Sequence, residues 1–332
     1  MIPNFGNARQ VLGTRIIYWQ QSWGSQRGQS MALESIPGFP TFRRLKLEDK
    51  PGIEHLFELY PTEVSERTFG SVFVWRGYEH RSELSQLDGH LIISWFRSNL
   101  GRIMLQPVGP DPVGVVEALG RPDNAEASPF AGVYGIVEPE ATKLRNLGIQ
   151  VDSLRDEWDY VYSVEDLVRL EGPKYHTQRK EMKKARLDHE LTYEPMTQAH
   201  QKGCLELEET WCNLKQCTFE RLSAAEDRAL KEALLNMDQI RFIGGVVLLE
   251  GRIQALAVGE RLNRDTAVVH FEKANPEIRG IYQIVNQQFC VRALGGFSFV
   301  NREQDVGEPG LRRAKEGYHP HHFVEKHMAL LR

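Results

Sequence analysis

The order of secondary-structure signals constrains the fold of this chain more than any single motif does. Between residues 241 and 274, three apolar segments of strand length follow one another, RFIGGVVLLEG, RIQALAVGERL and TAVVHFEKA, and short polar turns join them. Such short connections are typical of antiparallel strands. A segment with helical character, EIRGIYQIVNQQFCVRAL, comes directly after the third strand. The pattern predicts an antiparallel meander followed by a helix.

The first half of the chain has a similar order of elements. Its strand candidates are HLIISWFR, GRIMLQPVG and FAGVYGIV, and its helix candidates include VGVVEALG and ATKLRNLGI. Because 332 residues exceed what one ordinary core fills, we expect two α+β halves with mixed, mostly antiparallel sheets flanked by helices. The expected halves are residues 36–155 and 156–332. Residues 1–35, rich in Gly, Gln and Ser, are expected to form a poorly ordered extension.

Composition excludes several classes of protein. The formal net charge of −4 gives no global attraction to nucleic acid, so any anion site must be local. The four cysteines form no CxxC pair, and the four histidines between 319 and 327 match no zinc spacing, so we expect reduced thiols and no metal site. No apolar run is long enough to predict a transmembrane segment, which favours a cytoplasmic location. The motifs GxSxG and GxxxxGK[ST] are absent.

The stretch from 268 to 283 is the first candidate site. Strict alternation along the strand places His270 and Glu272 on one face, and Val269 and Phe271 on the other. A helix beginning near Arg279 and Gly280 would offer unpaired backbone N–H groups, a guanidinium and close access to an anion. An ordinary strand-to-helix turn with a solvated arginine is the alternative interpretation.

The second candidate is the strand end FVNREQD, which continues into PGLRRAKEG and, with HHFVEKHMALL, predicts a final strand pair around a short helix. If the strand stays regular, Asn301, Glu303 and Asp305 share a face, and either carboxylate could accept a proton. Lys315 and the neighbouring arginines could pair with these carboxylates. A surface ion-pair network of little energetic value is the alternative.

The third candidate is a basic segment, PKYHTQRKEMKKAR, in which one glutamate faces several cations. Lys174, Arg179, Lys180 and Lys183 belong to it. A helix of this composition could hold a polyphosphate, an RNA backbone or anionic lipid headgroups. A solvated helix face is the alternative.

These segments closely resemble a largely uncharacterised bacterial family related to the C-terminal catalytic domain of phosphatidylglycerol lysyltransferases. The similar segments are TAVVHFEKANPEIRGIYQIVNQQF, FVNREQDVGEPGLRRAKEGYHP, EGPKYHTQRKEMKKAR and, in the first half, SERTFGSVFVWRGY. The resemblance extends from about Phe42 to the C-terminus. It implies a tandem pair of acyltransferase folds of the GNAT type.

The resemblance also implies a function. In the GNAT fold an acyl donor lies at a splayed strand pair with its phosphates on a helix N-terminus, the position of Gly280 here. The lysyltransferase relatives use aminoacyl-tRNA as donor and a membrane lipid as acceptor. The resemblance therefore implies an acyltransferase with aminoacyl-tRNA or acyl-CoA as cosubstrate and no permanent cofactor. Residues 174–186 would contact tRNA, and contact with anionic lipid would be peripheral.

The chain departs from the coenzyme A motif of GNAT enzymes. Tyr282 replaces a small residue and Glu277 stands at the basic position, which leaves a non-catalytic protein that binds an anionic metabolite or nucleic acid as the alternative function. The expected proton acceptors are His270, Glu272, Glu303 and Asp305. Further donor-binding or supporting residues are expected at Asn275, Tyr282, Gln283, Asn301, Arg302, Lys315 and Tyr318.

Overall fold

The computed structural model describes residues 33–77, 81–97, 99–120, 128–215 and 221–331. Of the expected N-terminal extension, only residues 33–35 lie within this part of the chain, and Leu33 is buried there. Cys217 also lies outside the described residues. The prediction of mixed, mostly antiparallel sheets flanked by helices is confirmed, because the strands form two sheets of seven strands each.

The first sheet contains most of the strands of the N-terminal half. Its strand order is β1-β2-β3-β4-β5-β14-β6. The bounds are β1 (Arg43–Arg44), β2 (Glu83–Leu87), β3 (His90–Arg97), β4 (Gly101–Leu105), β5 (Gly132–Ile136), β6 (Val151–Ser153) and β14 (His327–Leu330). Strands β4 and β5 are parallel, and the other pairs of these named strands are antiparallel.

The second sheet has the order β13-β7-β12-β11-β10-β9-β8. The bounds are β7 (Asp159–Ser163), β8 (Leu191–Pro195), β9 (Ile243–Leu249), β10 (Arg252–Arg261), β11 (Thr266–Ala274), β12 (Phe299–Asn301) and β13 (His322–Val324). The predicted meander is confirmed as β9–β11. Strands β11 and β12 are parallel over three residue pairs only, from Thr266 opposite Phe299 to Val268 opposite Asn301, and then separate.

Helices flank the two sheets. They are α1 (Lys50–Leu59), α2 (Phe69–Val74), α3 (Pro112–Gly120), α4 (Glu140–Asn146), α5 (Val164–Arg169), α6 (His176–Asp188), α7 (Gln201–Lys215), α8 (Arg221–Leu235), α9 (Met237–Ile240), α10 (Ile281–Ala293) and α11 (Pro309–Glu316). The helix expected to begin near Arg279 and Gly280 is confirmed, since Gly280 takes the N-cap position of α10 with φ of +87°.

The expected final strand pair is wrong in one respect. The segment HHFVEKHMALL divides into β13, which pairs with β7 in the second sheet, and β14, which pairs with β5 and β6 in the first. The last strand of the chain thus completes the sheet of the N-terminal half. One core cluster also contains residues of both sheets, including Leu84 and Leu256. The boundary between residues 155 and 156 stays a prediction, and the halves are joined by a shared core.

Candidate functional site

A β-bulge at His270 marks the place where the parallel strands separate. In the pairing of β10 with β11, Val258 lies opposite Phe271 and Gly259 lies opposite Val269, so the register skips His270. A bulge of this kind bends the strand and redirects its side chains. Val269 accordingly packs into one core cluster and Phe271 into another. The expected strict alternation, with Val269 and Phe271 on one face, is therefore wrong.

The bulged His270 is held between two carboxylates. Its Nδ1–H donates to Glu303 Oε1 at 2.7 Å and its Nε2–H donates to Glu260 Oε1 at 2.8 Å. The imidazole is 1% exposed. Burial alone disfavours the charged ring, but the hydrogen bonds to both carboxylates outweigh burial and raise the pKa of His270 to about 10. The ring is thus an imidazolium at neutral pH, which favours an orienting role over proton acceptance.

The Glu260 end of this chain of groups reaches the N-terminal half. A Cβ atom at Gly70 would lie only 2.1 Å from Glu260 Oε1, so this glycine allows the carboxylate to pack against the backbone near the start of α2. Glu260 was not among the expected site residues. It occupies a strand position with no motif around it, and only the pairing of β10 with β11 brings it to His270.

A second ion pair, between Glu272 and Arg302, also links the two separating strands. Arg302 Nη2 donates to both Glu272 carboxylate oxygens, at 3.1 and 3.2 Å, and Asn286 Nδ2 donates to Glu272 at 3.2 Å. The guanidinium lies 5.0 Å from the ring centre of Tyr318 and 5.5 Å from that of Tyr162. Its Nη1 is buried and has no hydrogen-bond partner among the described residues. This atom is an unsatisfied donor among the described residues.

The backbone that carries Glu303 is fixed from two sides. Strand β12 ends at Asn301, so the expected regular strand as far as Asp305 is wrong. Glu303 has φ of +57°, and its N–H donates to Asn301 Oδ1 at 2.7 Å. Lys315 donates to the carbonyl oxygens of Arg302 at 2.6 Å and of Glu303 at 3.0 Å. Burial, together with the charge of Arg302, lowers the pKa of Lys315 to about 8.

Asp305 makes contacts that favour a structural role. The carboxylate is fully buried and accepts hydrogen bonds from Arg312 at 2.8 Å, from Tyr160 at 2.6 Å and from the Gly307 N–H at 2.9 Å. Arg155 lies 3.2 Å away. Burial alone would raise the pKa of Asp305, but these donors hold it well below its usual range. A carboxylate this weakly basic is a poor proton acceptor.

The start of α10, the expected anion cradle, is covered by α6. A Cβ atom at Gly280 would lie 2.4 Å from the carbonyl oxygen of Glu181, so the two backbones are in close contact. Arg279 forms a bidentate ion pair with the Glu181 carboxylate, with Nη2 at 2.7 Å from Oε1. Asn275 donates to Gln254 at 3.0 Å, and the Tyr282 hydroxyl accepts a hydrogen bond from Trp211 at 3.0 Å. These contacts weigh against phosphate binding at Gly280.

Two of the expected donor-binding residues and one expected supporting residue meet at a cavity beside α6. Lys174, Gln283 and Tyr318 line a cavity of about 390 Å³, together with Arg313 and His319. Tyr318 also lies against the Arg302 guanidinium. The lining residues include cations and no carboxylate. This cavity is therefore suited to an anionic group close to the ion pair between the strands.

The other cations of the basic segment do not line this cavity. Arg179 Nη1 donates to the carbonyl oxygens of Leu170 and Gly172, the latter at 2.7 Å, and so closes the C-terminal end of α5. Lys180 and Lys183 are exposed. A contact between these two lysines and a polyanion stays a prediction.

Sequence reasoning missed a buried cluster at the junction of the halves. Lys326 is fully buried and its Nζ lies 2.8 Å from both Asp159 and Glu66. Asp159 also accepts hydrogen bonds from the Ser65 N–H at 2.9 Å and from Asn301 Nδ2 at 3.0 Å. Asn301 thereby connects the junction to the backbone of Glu303. The residues are up to 261 positions apart in sequence, so no local signal marks them.

One group of described residues has the side-chain types of a metal site. Ligand atoms of Glu208, Cys212 and Asp227 lie within 4.8 Å of one another. Cys212 is disulfide-bonded, so its sulfur is not a thiolate ligand, and the expectation of reduced thiols is wrong at this position. Burial raises the pKa of Glu208 to about 7. Lys273 Nζ lies 3.8 Å from Glu208 and 3.6 Å from the Trp211 ring centre, so a buried ammonium already balances the charge at this place.

Among the described residues, every helix is too short or too polar to cross a bilayer.

Comparisons with known proteins agree with this architecture. The family model "Phosphatidylglycerol lysyltransferase, C-terminal" matches residues 57–330. A conserved protein of unknown function from Bacteroides thetaiotaomicron has a similar structure, with a TM-score of 0.80 and 28% identity over 88% of this chain and 99% of that one. The structure of L-PGS from Bacillus licheniformis is similar with a TM-score of 0.59 and 13% identity over 84% and 91% of the two chains. No curated protein matches in sequence.

Proposed function

Because the chain belongs to the family of phosphatidylglycerol lysyltransferase C-terminal domains, we propose that it transfers an aminoacyl group from aminoacyl-tRNA to an amine or hydroxyl acceptor, such as a lipid headgroup. The family and the fold both indicate an acyltransferase. The single observation that carries the proposal is the chain of groups Glu260–His270–Glu303, which lies where parallel strands β11 and β12 separate.

In the proposed reaction, Glu303 accepts the proton of the acceptor nucleophile. Its side chain is 20% exposed, whereas Glu260 is 7% and His270 is 1% exposed, so Glu303 is the accessible end of the chain of groups. The nucleophile attacks the ester carbonyl carbon, the new acyl bond forms, and the bond to the tRNA ribose oxygen breaks. The proton then passes from Glu303 to that leaving oxygen. The imidazolium of His270 orients Glu303 throughout.

Arg302 would stabilise the negative charge that develops on the acyl oxygen. Its partnerless Nη1 is a fixed, buried donor close to Glu303 in sequence and in the same separation between strands. Donors placed in advance at a developing oxyanion contribute about 3–4 kcal/mol each to lowering a barrier. Phosphates of the donor would bind at the cavity of Lys174, Arg313 and His319.

Aminoacyl-tRNA is favoured over acyl-CoA as the donor because α6 covers the start of α10. The Glu181 carbonyl oxygen would lie only 2.4 Å from a Cβ atom at Gly280, and the Glu181 carboxylate is paired with Arg279, so this helix start is in close contact with α6. The same packing favours the second candidate function, a binding protein without catalysis that holds an anionic ligand. The two candidates differ in turnover, since only the transferase releases deacylated tRNA in the presence of an acceptor.

The test is an aminoacyl-transfer assay with a panel of charged tRNAs and with vesicles that contain phosphatidylglycerol. Replacing Glu303 by Gln removes the proton acceptor and should lower the transfer rate by about a hundredfold or more. Glu190→Gln, an exposed carboxylate without a described partner, is the matched control and should keep the wild-type rate. Equal rates for wild type and Glu303→Gln would refute the assigned role. Binding of charged tRNA without any transfer would favour the second candidate.

A further inference from the structure

A cavity of about 630 Å³ lies between the two halves. Its walls come from β1, the C-terminal end of α2 with the following turn, the segment leading into β2, and α8. A cavity of this volume is within the range that holds small organic ligands. It shares no lining residue with the cavity at Lys174 or with the Glu260–His270–Glu303 chain of groups.

The lining of this cavity is strongly basic in a chain that is acidic overall. Five of its residues are cations, Arg44, Arg76, Arg81, Arg228 and Lys231, and one is a carboxylate, Glu232. The carboxylate is paired with Arg76 at 2.8 Å. Lys231 is paired with Asp227, also at 2.8 Å. The lining nevertheless carries more cations than carboxylates.

Two of the arginines are exposed and have no ion-pair partner among the residues that the structure describes. These are Arg44, on the edge strand β1, and Arg81, just before β2. Guanidinium groups bind phosphate oxygens in a bidentate fashion and keep their charge at every physiological pH. A phosphate group is the ligand chemistry that matches such a cluster.

The cavity also has a flat aromatic wall. Trp75 lines it, and the indole is only partly buried. Its ring is stacked on Phe271, with centroids 6.5 Å apart and an interplanar angle of 26°, so the core holds it in place. The neighbouring Arg76 lies 3.5 Å from the ring centre of Phe73. A fixed aromatic ring beside guanidinium groups is the combination that binds single nucleotides, through base stacking and phosphate contacts.

We propose that this cavity binds a nucleoside phosphate, either a free nucleotide or the unpaired end of an RNA. In this proposal the arginines bind the phosphate and the base stacks on Trp75. The inference does not depend on acyl transfer, since it concerns binding of a ligand that carries no acyl group. It also assigns a site separate from the basic helix α6.

The test is equilibrium binding by calorimetry to the full chain. The probes are adenosine monophosphate, a short single-stranded oligoribonucleotide, pyrophosphate and micelles of short-chain phosphatidylglycerol. The double variant Arg44→Glu/Arg81→Glu should weaken nucleotide and oligonucleotide binding about tenfold or more, because two charge-assisted contacts become repulsive. Arg252→Glu/Arg264→Glu makes the same charge change at exposed arginines outside the cavity and should leave binding within about twofold.

A further variant, Trp75→Leu, separates the base from the phosphate. This variant should weaken the binding of adenosine monophosphate about tenfold and leave the binding of pyrophosphate unchanged. Circular dichroism checks that this variant is folded, and the double arginine variant tests the site independently of that outcome. Tighter binding of the oligoribonucleotide than of the mononucleotide identifies an RNA end, and equal binding identifies a free nucleotide.

Three results would overturn the proposal. The first is no nucleotide or oligonucleotide binding at about 1 mM ligand. The second is equal weakening by the control double variant, which would indicate non-specific attraction. The third is binding of phosphatidylglycerol micelles alone, with loss in the Arg44→Glu/Arg81→Glu variant, which would make the cavity a lipid site.

Discussion

The protonation of His270 leads to a quantitative prediction about stability and pH. The folded protein holds this ring as an imidazolium with a pKa of about 10, whereas an exposed histidine in an unfolded chain has a pKa of 6.5. At pH values between these two pKa values, His270 therefore binds a proton when the chain folds. The stabilisation is complete below the unfolded pKa and is lost as the pH rises toward the folded pKa.

The size of the effect follows from this interval. Each pH unit within it corresponds to about 1.4 kcal/mol, so titration across the whole interval removes about 5 kcal/mol from the free energy of unfolding. Between about pH 7 and about pH 9.5 the loss should be about 3 kcal/mol. The ring is buried, so solvent screening does not reduce this figure as it would at a surface.

The comparison protein is the double variant Glu260→Gln/Glu303→Gln. Without the two carboxylates, burial keeps His270 neutral above neutral pH, and this ring no longer titrates in the interval. Every other group that titrates between about pH 7 and about pH 9.5 is present in both proteins. Urea unfolding at several pH values should show the wild type losing about 3 kcal/mol relative to the variant between about pH 7 and about pH 9.5. If the free energy of unfolding changed equally with pH in both proteins, His270 would not be an imidazolium held between the two carboxylates.

Two further changes test the packing around the site. Lys326→Met leaves the buried Asp159 and the partly buried Glu66 without their counter-charge and should lower the free energy of unfolding by about 3–5 kcal/mol. Lys202→Met removes a lysine that is 90% exposed, so urea unfolding should detect a change below about 0.5 kcal/mol, and similar losses for both variants would contradict the buried cluster. Gly280→Ala should cost at least about 1 kcal/mol more than Gly148→Ala. Both glycines have positive φ, but only the first faces a carbonyl oxygen, and equal thermal unfolding midpoints would show that α6 does not cover the start of α10.

The sequence was a good guide to elements that have a local signal. The strand His90–Arg97 coincides with the expected segment HLIISWFR, and β9–β11 follow the three apolar segments of the meander. Alternating or continuous apolar residues report burial of a strand, and polar turns report its ends. The clustering of His270, Glu272 and Glu303 near one strand end was also predictable, because each is a polar residue at or after a core strand.

The arrangement of the candidate site depended on contacts that no local pattern contains. A bulge arises from the pairing of β10 with β11, so periodicity within β11 could not place Phe271 and Val269 on different sides. The cover over Gly280 comes from a helix about a hundred residues earlier in the chain. For the same reason the sequence carried no signal that α6 packs against the helix start expected to form an anion cradle.

The sequence by itself thus determined the mixed sheets flanked by helices, the meander and the polar end of strand β12, since these follow from short-range periodicity and turn chemistry. Only the tertiary structure decided which carboxylates hold His270, which sheet receives β14 and where Lys326 is buried. Those outcomes are set by pairing and burial between segments far apart in sequence, where the free energy of a contact depends on both partners at once.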